Sequence, residues 1–239
     1  MLELNKIHLG NSYNLIKQIP DKSIDCIYTD IPYLYESGGG GTSRIAKNSI
    51  AKRNSIAFVS NGIDYNILKE FVRIMKKINC FIWCSKLQIV DILKFFVVDN
   101  KCRFEILVWI KNNPIPQTNN VWLGDIEYCL YFREQGVSLN DGYELKSKWY
   151  QSPINQKDKA VFHHPTIKPL EFVKRHISHA TQPNNIVLDC FIGSGTTAIA
   201  CKELSRQFIG IEIDPKWHKI AVDRLDNIDA NGQQSFLAR

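Results

Sequence analysis

The chain has 239 residues, of which 44% are apolar and 23% are charged, so it is neither a disordered nor a fibrous protein. No apolar run is long enough to span a membrane and the first residues lack the pattern of a signal peptide, from which we expect a cytoplasmic protein. The formal net charge of +6 favours an anionic partner, and seven scattered cysteines indicate free thiols rather than a disulfide framework. The length predicts one domain over residues 1–239.

Two short apolar strands are predicted near the N-terminus. The first covers residues 7–9 and is followed by a polar turn that contains Asn11. The second covers residues 24–28, where a continuous apolar run is typical of a strand buried on both faces, and it ends shortly before Asp30. Ligands of open α/β sheets bind beyond the carboxyl ends of the strands, so the segment that begins at Asp30 lies where a binding site is expected.

The segment Asp30-Ile31-Pro32-Tyr33 combines groups that suit an amino group on a planar ring. The Asp30 carboxylate and the Ile31 carbonyl oxygen are two acceptors, and Pro32 stiffens the turn that holds them. Tyr33 supplies a flat face on which a base can stack. In isolation, however, such a segment is more often a strand-end cap whose proline and tyrosine cover the core.

A purely basic segment follows at residues 35–61, with four glycines near its start and no acidic residue from Ser37 to Asn61. This composition, directly after a receptor for a base, suits contact with a phosphate backbone and closure over a flipped base. A solvated loop without such contacts is the alternative. The cations of this segment that we expect to contact phosphates are Arg44, Lys47, Lys52 and Arg53.

The middle of the chain continues the sheet. The predicted elements are a helix over residues 65–77 and strands over residues 80–84, 104–109 and 127–132. The following segment, residues 134–160, interleaves lysines with aromatic residues, a composition that suits nucleic acid. Lys146, Lys148 and Trp149 are its candidate contacts.

A strand, a glycine turn and a helix follow near the C-terminus. The predicted elements are strands over residues 186–188 and 208–211 and a helix over residues 196–205. Asp189 ends the first strand, and Gly193 and Gly195 allow backbone N–H groups and a helix N-terminus to approach a ligand. Glu212 ends the second strand, where a carboxylate suits the hydroxyls of a ribose. The pattern predicts a nucleoside cofactor, and on these residues alone it fits a nicotinamide or flavin dinucleotide as well.

Three motifs together resemble those of S-adenosylmethionine-dependent amino-methyltransferases that act on DNA. Residues 30–33 are similar to the family's D-P-P-Y, residues 164–169 to H-P-T-x-K-P, and residues 189–197 to D-x-F-x-G-S-G-T-T. The acceptor motif precedes the cofactor motif, as in the permuted, or beta, class. The chain departs from the family pattern at Ile31 and Cys190, where prolines are usual, and at Asn11, where an acid is frequent.

The resemblance implies a role for each matching residue. The catalytic residues would be Asp30, Ile31, Pro32 and Tyr33. The residues that bind the cofactor, S-adenosylmethionine, would be Asn11, Asp30, Thr166, Lys168, Asp189, Phe191, Gly193, Ser194, Gly195, Thr196, Thr197 and Glu212. In the family, the segment with Thr166 and Lys168 helps to close over the methionine end of the cofactor.

The resemblance also implies a single-domain, Rossmann-like α/β methyltransferase fold. We expect a seven-stranded, mostly parallel sheet with helices on both faces, into which residues 35–61 and the short target-recognition segment 134–160 are inserted. The expected function is site-specific methylation of DNA at an exocyclic amino nitrogen, first of all N6 of adenine, as in restriction-modification systems. N4 of cytosine is the alternative.

Other functional classes remain open at this point. An RNA or protein-glutamine amino-methyltransferase comes next, and a nicotinamide-dependent oxidoreductase or a non-catalytic nucleic-acid-binding protein would require some or all of the motifs to be accidental. No metal is expected, because no C-x-x-C pair occurs. Dimerisation is common in the resembling family, so a homodimer also stays open.

Overall fold

The computed structural model describes residues 2–34, 62–114, 116, 122–154 and 167–227. The predicted contacts of the basic segment 35–61 and of Thr166 lie outside these residues. Among the helices within them, none is long and apolar enough to cross a membrane.

One sheet of eight strands organises the described residues. In chain order the strands are β1 (Lys6–Leu9), β2 (Cys26–Asp30), β3 (Asn79–Cys84), β4 (Arg103–Lys111), β5 (Ile126–Arg133), β6 (Trp149–Ser152), β7 (Ile186–Asp189) and β8 (Gln207–Glu212). Their spatial order is β1-β8-β7-β2-β3-β5-β4-β6. All pairs are parallel except the two that involve β5, which runs antiparallel to both β3 and β4.

All seven predicted strands are present, but the sheet contains an eighth strand that was not predicted. The additional strand, β6, is four residues long and pairs with the outer edge of β4, with Tyr150 opposite Trp109. It lies inside the segment 134–160 and consists of two aromatic residues followed by two polar ones, which is neither a continuous apolar run nor an apolar/polar alternation. Asp30 is the last residue of β2, rather than a residue just beyond it.

Helices cover both faces of the sheet, as predicted. They are α1 (Ser12–Leu15), α2 (Ile67–Ile74), α3 (Ile89–Leu93, continued as a π-helical turn over Lys94–Asp99), α4 (Leu170–Ala180), α5 (Thr196–Glu203) and α6 (Pro215–Asp226). Alternation along the strands sends side chains to two separate cores. Ile27 of β2 packs on the face that carries α1, α2 and α3, whereas Tyr28 packs on the face that carries α4, α5 and α6.

The C-terminal part of the chain returns to the N-terminal strand. β1 lies parallel to β8, with Leu9 opposite Glu212, and the ring Nε2 of His218 on α6 lies 2.9 Å from the Ile7 carbonyl oxygen. The first strand of the chain therefore pairs with the last one. This pairing also places the carboxyl ends of β1, β8, β7 and β2 side by side at one edge of the sheet.

The seven cysteines are free and buried. Cys190, at the position where the resembling family has proline, is fully buried, and burial raises the pKa of its thiol well above the ordinary value. A buried, protonated thiol acts as a small apolar side chain. Cys190 is therefore a packing residue beside the glycine turn.

Candidate active site

The two carboxylate oxygens of Asp30 differ in their contacts at the edge of the sheet. Its Oδ2 accepts a hydrogen bond from the ammonium group of Lys168 at 2.5 Å. Its Oδ1 is buried and accepts no hydrogen bond from the residues that the structure describes. Leaving a buried oxygen without a donor costs free energy, so such an atom in a native protein requires an explanation. An N–H group of a ligand would satisfy Oδ1.

A buried glutamine braces the loop that follows β2. The Gln88 amide nitrogen donates to the Pro32 carbonyl oxygen at 3.0 Å, and Gln88 Oε1 accepts from the Leu34 N–H at 3.3 Å. The Ile31 N–H donates to the Trp83 carbonyl oxygen at 3.2 Å, while no described residue donates to the Ile31 carbonyl oxygen. The second predicted acceptor is therefore held in place, with its oxygen available to a ligand as far as the described residues go.

Tyr33 is half-buried and its hydroxyl reaches a second carboxylate. The hydroxyl donates to Glu127 Oε2 at 3.4 Å and accepts from Lys168 Nζ at 3.3 Å. Lys168 Nζ also lies 5.4 Å from the centre of the Tyr33 ring and 5.0 Å from that of the Trp83 ring. The ring predicted to stack on a base is thus anchored at its hydroxyl end.

Four charged side chains form a continuous series of ion pairs at this edge. Lys168 Nζ lies 2.5 Å from Asp30 Oδ2 and 3.0 Å from Glu127 Oε2. Lys111, the last residue of β4, lies 2.7 Å from the other Glu127 oxygen, Oε1. Asp30 and Lys168 come from two different predicted motifs, and the structure joins them directly.

The charges set which of the two carboxylates protonates first. Burial raises the pKa of Asp30, the Lys168 charge offsets part of that rise, and the Glu127 charge adds to it. Burial also opposes ionisation of Glu127, but Lys168 and Lys111 outweigh burial and lower its pKa to about 2. Burial lowers the pKa of Lys168, but the two carboxylates outweigh it and the pKa is raised. As pH falls, Asp30 therefore protonates before Glu127.

Sequence reasoning missed Glu127, Lys111 and Gln88. Glu127 is the second residue of β5, an antiparallel strand whose start lies at the edge where the parallel strands end. Site residues are expected after the ends of parallel strands, whereas an antiparallel strand brings its first residues to the same edge. An acidic residue at the start of such a strand is the signal that would have found Glu127.

The predicted glycine turn is confirmed as a tight connection between β7 and α5. Gly193 and Gly195 have φ of 53° and 83°, a conformation that side chains with a Cβ rarely adopt. A Cβ at Gly195 would lie 3.1 Å from the Cβ of Ala221 on α6. The carbonyl oxygen of Ser194 accepts from Arg224 Nη1, also on α6, at 2.6 Å. Helix α6 thus fixes the shape of the turn.

Asp189 holds this turn from inside the protein. Its Oδ1 accepts from Thr29 Oγ1 at 2.8 Å and from the Phe191 N–H at 3.1 Å, and its Oδ2 accepts from Thr197 Oγ1 at 2.6 Å. Burial raises the pKa of Asp189 to about 7, even though these hydrogen bonds act in the opposite direction. Both oxygens therefore support the turn, and direct contact between Asp189 and a cofactor stays a prediction.

Glu212 and Asn11 lie next to each other at the ends of β8 and β1. Glu212 Oε2 accepts from the Gly193 N–H at 2.9 Å, and Oε1 accepts from the Asp214 N–H at 2.9 Å. Asn11 is the N-cap of α1, where its Oδ1 accepts from the Tyr13 N–H at 2.8 Å. Glu212 is thus built into the glycine turn from the neighbouring strand, and Asn11 already has a local structural role.

Most of the predicted cofactor residues are brought together, at the ends of β1, β7 and β8 and the start of α5. Within this group Ser194 and Thr196 are buried, with their hydroxyl oxygens 3.5 Å apart. Lys168 differs, because its ammonium group lies on Asp30 and Glu127. Thr166 is outside the described residues.

The predicted DNA contacts of the segment 134–160 lie away from this edge. Lys146 is 3.2 Å from Asp141, and Lys148 is 2.5 Å from Glu105. Trp149 is 54% exposed and begins β6, a strand whose last residue, Ser152, lies opposite Lys111 of β4. Because both lysines are already paired with carboxylates, a phosphate would have to compete for them, and their contact with DNA stays a prediction.

Comparisons with known proteins agree on one family. The chain matches a family model described as DNA methylase over residues 24–223. It is 30% identical to the type II methyltransferase M2.LlaDCHI of Lactococcus lactis subsp. cremoris, over 91% of this chain and 87% of that protein. It is 28% identical to the type II methyltransferase M2.DpnII of Streptococcus pneumoniae, over 93% of this chain and 90% of that protein.

Solved structures support the same fold. The M1.HpyAVI–SAM complex is 26% identical, has a TM-score of 0.69 and covers 92% of this chain and 99% of that chain. The cytosine-N4-specific PvuII DNA methyltransferase is 15% identical, has a TM-score of 0.69 and covers 95% of this chain and 87% of that chain. The second likeness is one of fold alone.

Proposed function

The chain belongs to the DNA methylase family, and from this premise we propose that it transfers a methyl group from S-adenosylmethionine to an exocyclic amino nitrogen in DNA, N6 of adenine in particular. The observation that carries the proposal is the buried Oδ1 of Asp30, which accepts no hydrogen bond from any residue that the structure describes. This oxygen lies at the same sheet edge as the glycine turn and Glu212. One edge therefore offers both an acceptor for an amine and a candidate cofactor turn.

The residues of the turn fit S-adenosylmethionine. The glycines leave backbone N–H groups open to close approach, and the Glu212 carboxylate has the acceptor chemistry that ribose hydroxyls need. When bound, S-adenosylmethionine supplies an electrophilic methyl group. M1.HpyAVI, a relative with the same fold, has been solved with SAM.

The chain's own residues would act by positioning. The target base is flipped out of the duplex, at a cost of about a few kcal/mol, and stacks on Tyr33. Asp30 Oδ1 and the Ile31 carbonyl oxygen accept hydrogen bonds from the two N–H groups of the target amine, which localises the nitrogen lone pair for attack on the methyl group. The N–C bond would form as the sulfonium–methyl bond breaks and S-adenosylhomocysteine leaves, and the methylated nitrogen would then lose one proton, which Asp30 Oδ1 would accept. No covalent enzyme intermediate is required, and the buried cysteines offer no accessible thiolate. Catalysis then rests on orientation and electrostatics.

Adenine is favoured over cytosine because the acceptor motif begins with aspartate, which the resemblance associates with adenine enzymes. The test is transfer of labelled methyl groups from S-adenosylmethionine to DNA, followed by digestion to nucleosides. N6-methyladenosine is the expected product. N4-methylcytosine would replace the adenine assignment by the alternative, and no label in DNA would overturn the proposed function.

Glu212→Ala is expected to weaken S-adenosylmethionine binding by about 1–3 kcal/mol, because ribose hydroxyls and the Gly193 N–H would lose a buried acceptor. Calorimetric titration measures the change, and thermal unfolding shows whether the turn survives. Glu203→Gln, at the far end of α5, is the matched control and should bind normally. An affinity equal to that of the wild type in Glu212→Ala would contradict the assigned role.

The basic segment 35–61 is proposed to contact DNA phosphates. Replacing Lys52 and Arg53 together with alanine should weaken DNA binding and reduce the slope of log affinity against log salt by roughly one for each lost contact. Lys219→Ala on α6, which removes an exposed lysine paired with Asp223, serves as the control. A salt slope unchanged by the double replacement would show that the segment does not hold the backbone.

We also propose that residues 1–239 form one methyltransferase domain, into which residues 35–61 and 134–160 are inserted. A role in restriction-modification implies a cytoplasmic location, with access to the host DNA. A homodimer is proposed only by analogy with the family. Light scattering of the free protein and of its DNA complex tests it.

A further inference from the structure

The second carboxylate of the site, Glu127, has no part in the proposed reaction. Its side chain is only 16% exposed, and its two oxygens are held by different lysines, Oε1 by Lys111 and Oε2 by Lys168. Keeping an ionised carboxylate so far from water is unfavourable, and its partners must offset that cost. Such an arrangement calls for a functional explanation.

Lys168 lies between Glu127 and Asp30 and forms an ion pair with each of them. If Lys168 had Asp30 as its sole partner, a buried ammonium at 2.5 Å would neutralise the acceptor carboxylate and could move between its two oxygens. Glu127 attracts the same ammonium from the other side, at 3.0 Å. Lys168 is therefore shared between two carboxylates, and it stays on Oδ2.

We propose that Glu127 is a positioning residue for methyl transfer: it draws Lys168 to the Oδ2 side of Asp30, so that Oδ1 faces the target amine with its negative charge largely retained. This inference rests on the proposed role of Asp30 as the acceptor. Lys111 fixes the Glu127 carboxylate, and the Tyr33 hydroxyl adds a third contact at 3.4 Å from Glu127 Oε2. The stacking ring and the acceptor are thereby tied to the same side chain.

The electrostatics point in the same direction. The Glu127 charge raises the pKa of Asp30, in opposition to Lys168. A carboxylate with a higher pKa is a stronger hydrogen-bond acceptor for an amine. Within the described part of the chain, the charged and titratable groups that interact with Asp30 are Lys168, Glu127, Tyr33, Tyr28, Cys84, Cys129 and Asp189. Among them, Glu127 is the carboxylate that pairs with the same lysine as Asp30.

Glu127→Gln tests the proposal without the need for any catalytic reaction. The replacement keeps the shape of the side chain and removes its charge, so the pKa of Asp30 should fall. Carbon-13 NMR of the aspartate carboxyl groups follows the titration, and Asp30→Asn identifies the Asp30 signal. Glu203→Gln is the matched control, since Glu203 is 13% exposed and pairs with Lys174 outside the site. An Asp30 titration that is the same in Glu127→Gln and in the wild type would overturn the proposal.

The kinetic consequence is measured in single-turnover methyl transfer to DNA. In Glu127→Gln the rate at neutral pH should fall by roughly tenfold or more, because the acceptor is misoriented and its charge is more fully neutralised. The fall in rate at acid pH should move to lower pH, while affinity for S-adenosylmethionine stays the same. Glu127→Asp keeps the charge and should recover part of the rate.

Failure of this inference differs from failure of the proposed function. If the wild type methylates DNA and Asp30→Ala does not, the acceptor role stands. A Glu127→Gln rate like that of the wild type then overturns the positioning role alone. Glu127→Gln could also be slower with the same pH profile as the wild type, while Glu127→Asp recovers no activity. That outcome would show that Glu127 only stabilises the fold, and it would likewise reject the proposal.

Discussion

Replacing Asp30 with alanine is expected to lower the rate of methyl transfer by about 10²–10³-fold, the loss typical of removing one preorganised group from an active site. Asp30 ends a strand and its side chain is 26% exposed, so the replacement removes an acceptor and leaves the apolar core intact. Lys168 retains Glu127 as its partner in the variant. Single-turnover methylation of adenine-containing DNA measures the effect.

Two comparisons make the Asp30 result specific. Asp30→Asn keeps an oxygen acceptor without the charge, and its rate should lie between those of the alanine variant and the wild type. Asp21→Ala removes an aspartate that is 71% exposed and should have normal activity. If a well-folded Asp30→Ala protein methylates DNA as fast as the wild type, the acceptor lies elsewhere and the proposed mechanism is wrong.

Replacing Lys168 with methionine is expected to destabilise the protein by about 3 kcal/mol at neutral pH, because Asp30 and Glu127 lose the buried cation they share. Lys168 is only 7% exposed, so water cannot replace it fully. Chemical denaturation measures the loss. Lys174→Met is the control, since Lys174 is 25% exposed and pairs with Glu171 and Glu203 outside the site.

The stability of Lys168→Met should depend on pH in a defined direction. In the wild type the pKa of Glu127 is lowered to about 2, so its contribution is present above its unfolded pKa and is lost as pH falls towards about 2. Without Lys168, burial and mutual repulsion should raise the pKa of Asp30 and lessen the lowering at Glu127. The difference between variant and wild type should then shrink from about pH 7 to about pH 5. A difference that is constant over this range would contradict the electrostatic account.

The strands and the cofactor turn were predictable from sequence because each leaves a local signal. Continuous apolar runs identified seven of the strands, and the glycines of the turn adopt the positive φ that their spacing indicated. Strand β6 leaves little signal, because an edge strand of four residues with alternating exposure needs no apolar run. Its pairing with β4 decides its conformation.

The contacts of the site were less predictable because they depend on three-dimensional neighbours. Lys168 was predicted from a motif as a cofactor residue, yet its partner is Asp30, far away in the chain. Glu127 lies at the site because β5 runs antiparallel to β3, and the direction of a strand leaves no local signal in the sequence. Gln88 belongs to none of the motifs. Its role comes from the hydrogen bond that its buried amide donates to the Pro32 carbonyl oxygen in the folded protein. Sequence reasoning predicted Asp30 and Lys168 as site residues, but not their pairing with each other nor the contacts of Glu127 and Gln88.

The order of the strands has a consequence for how the protein is made. β1 and β2 are synthesised first, but β8 and β7, which emerge from the ribosome much later, lie between them in the sheet. Until then, β1 lacks its β8 neighbour and β2 presents a bare apolar edge, a state that invites aggregation of the nascent chain. Pairings between distant parts of a chain also form slowly. Fragments that end before β7 should therefore need chaperones to remain in solution, whereas the chain through β8 can close its own sheet.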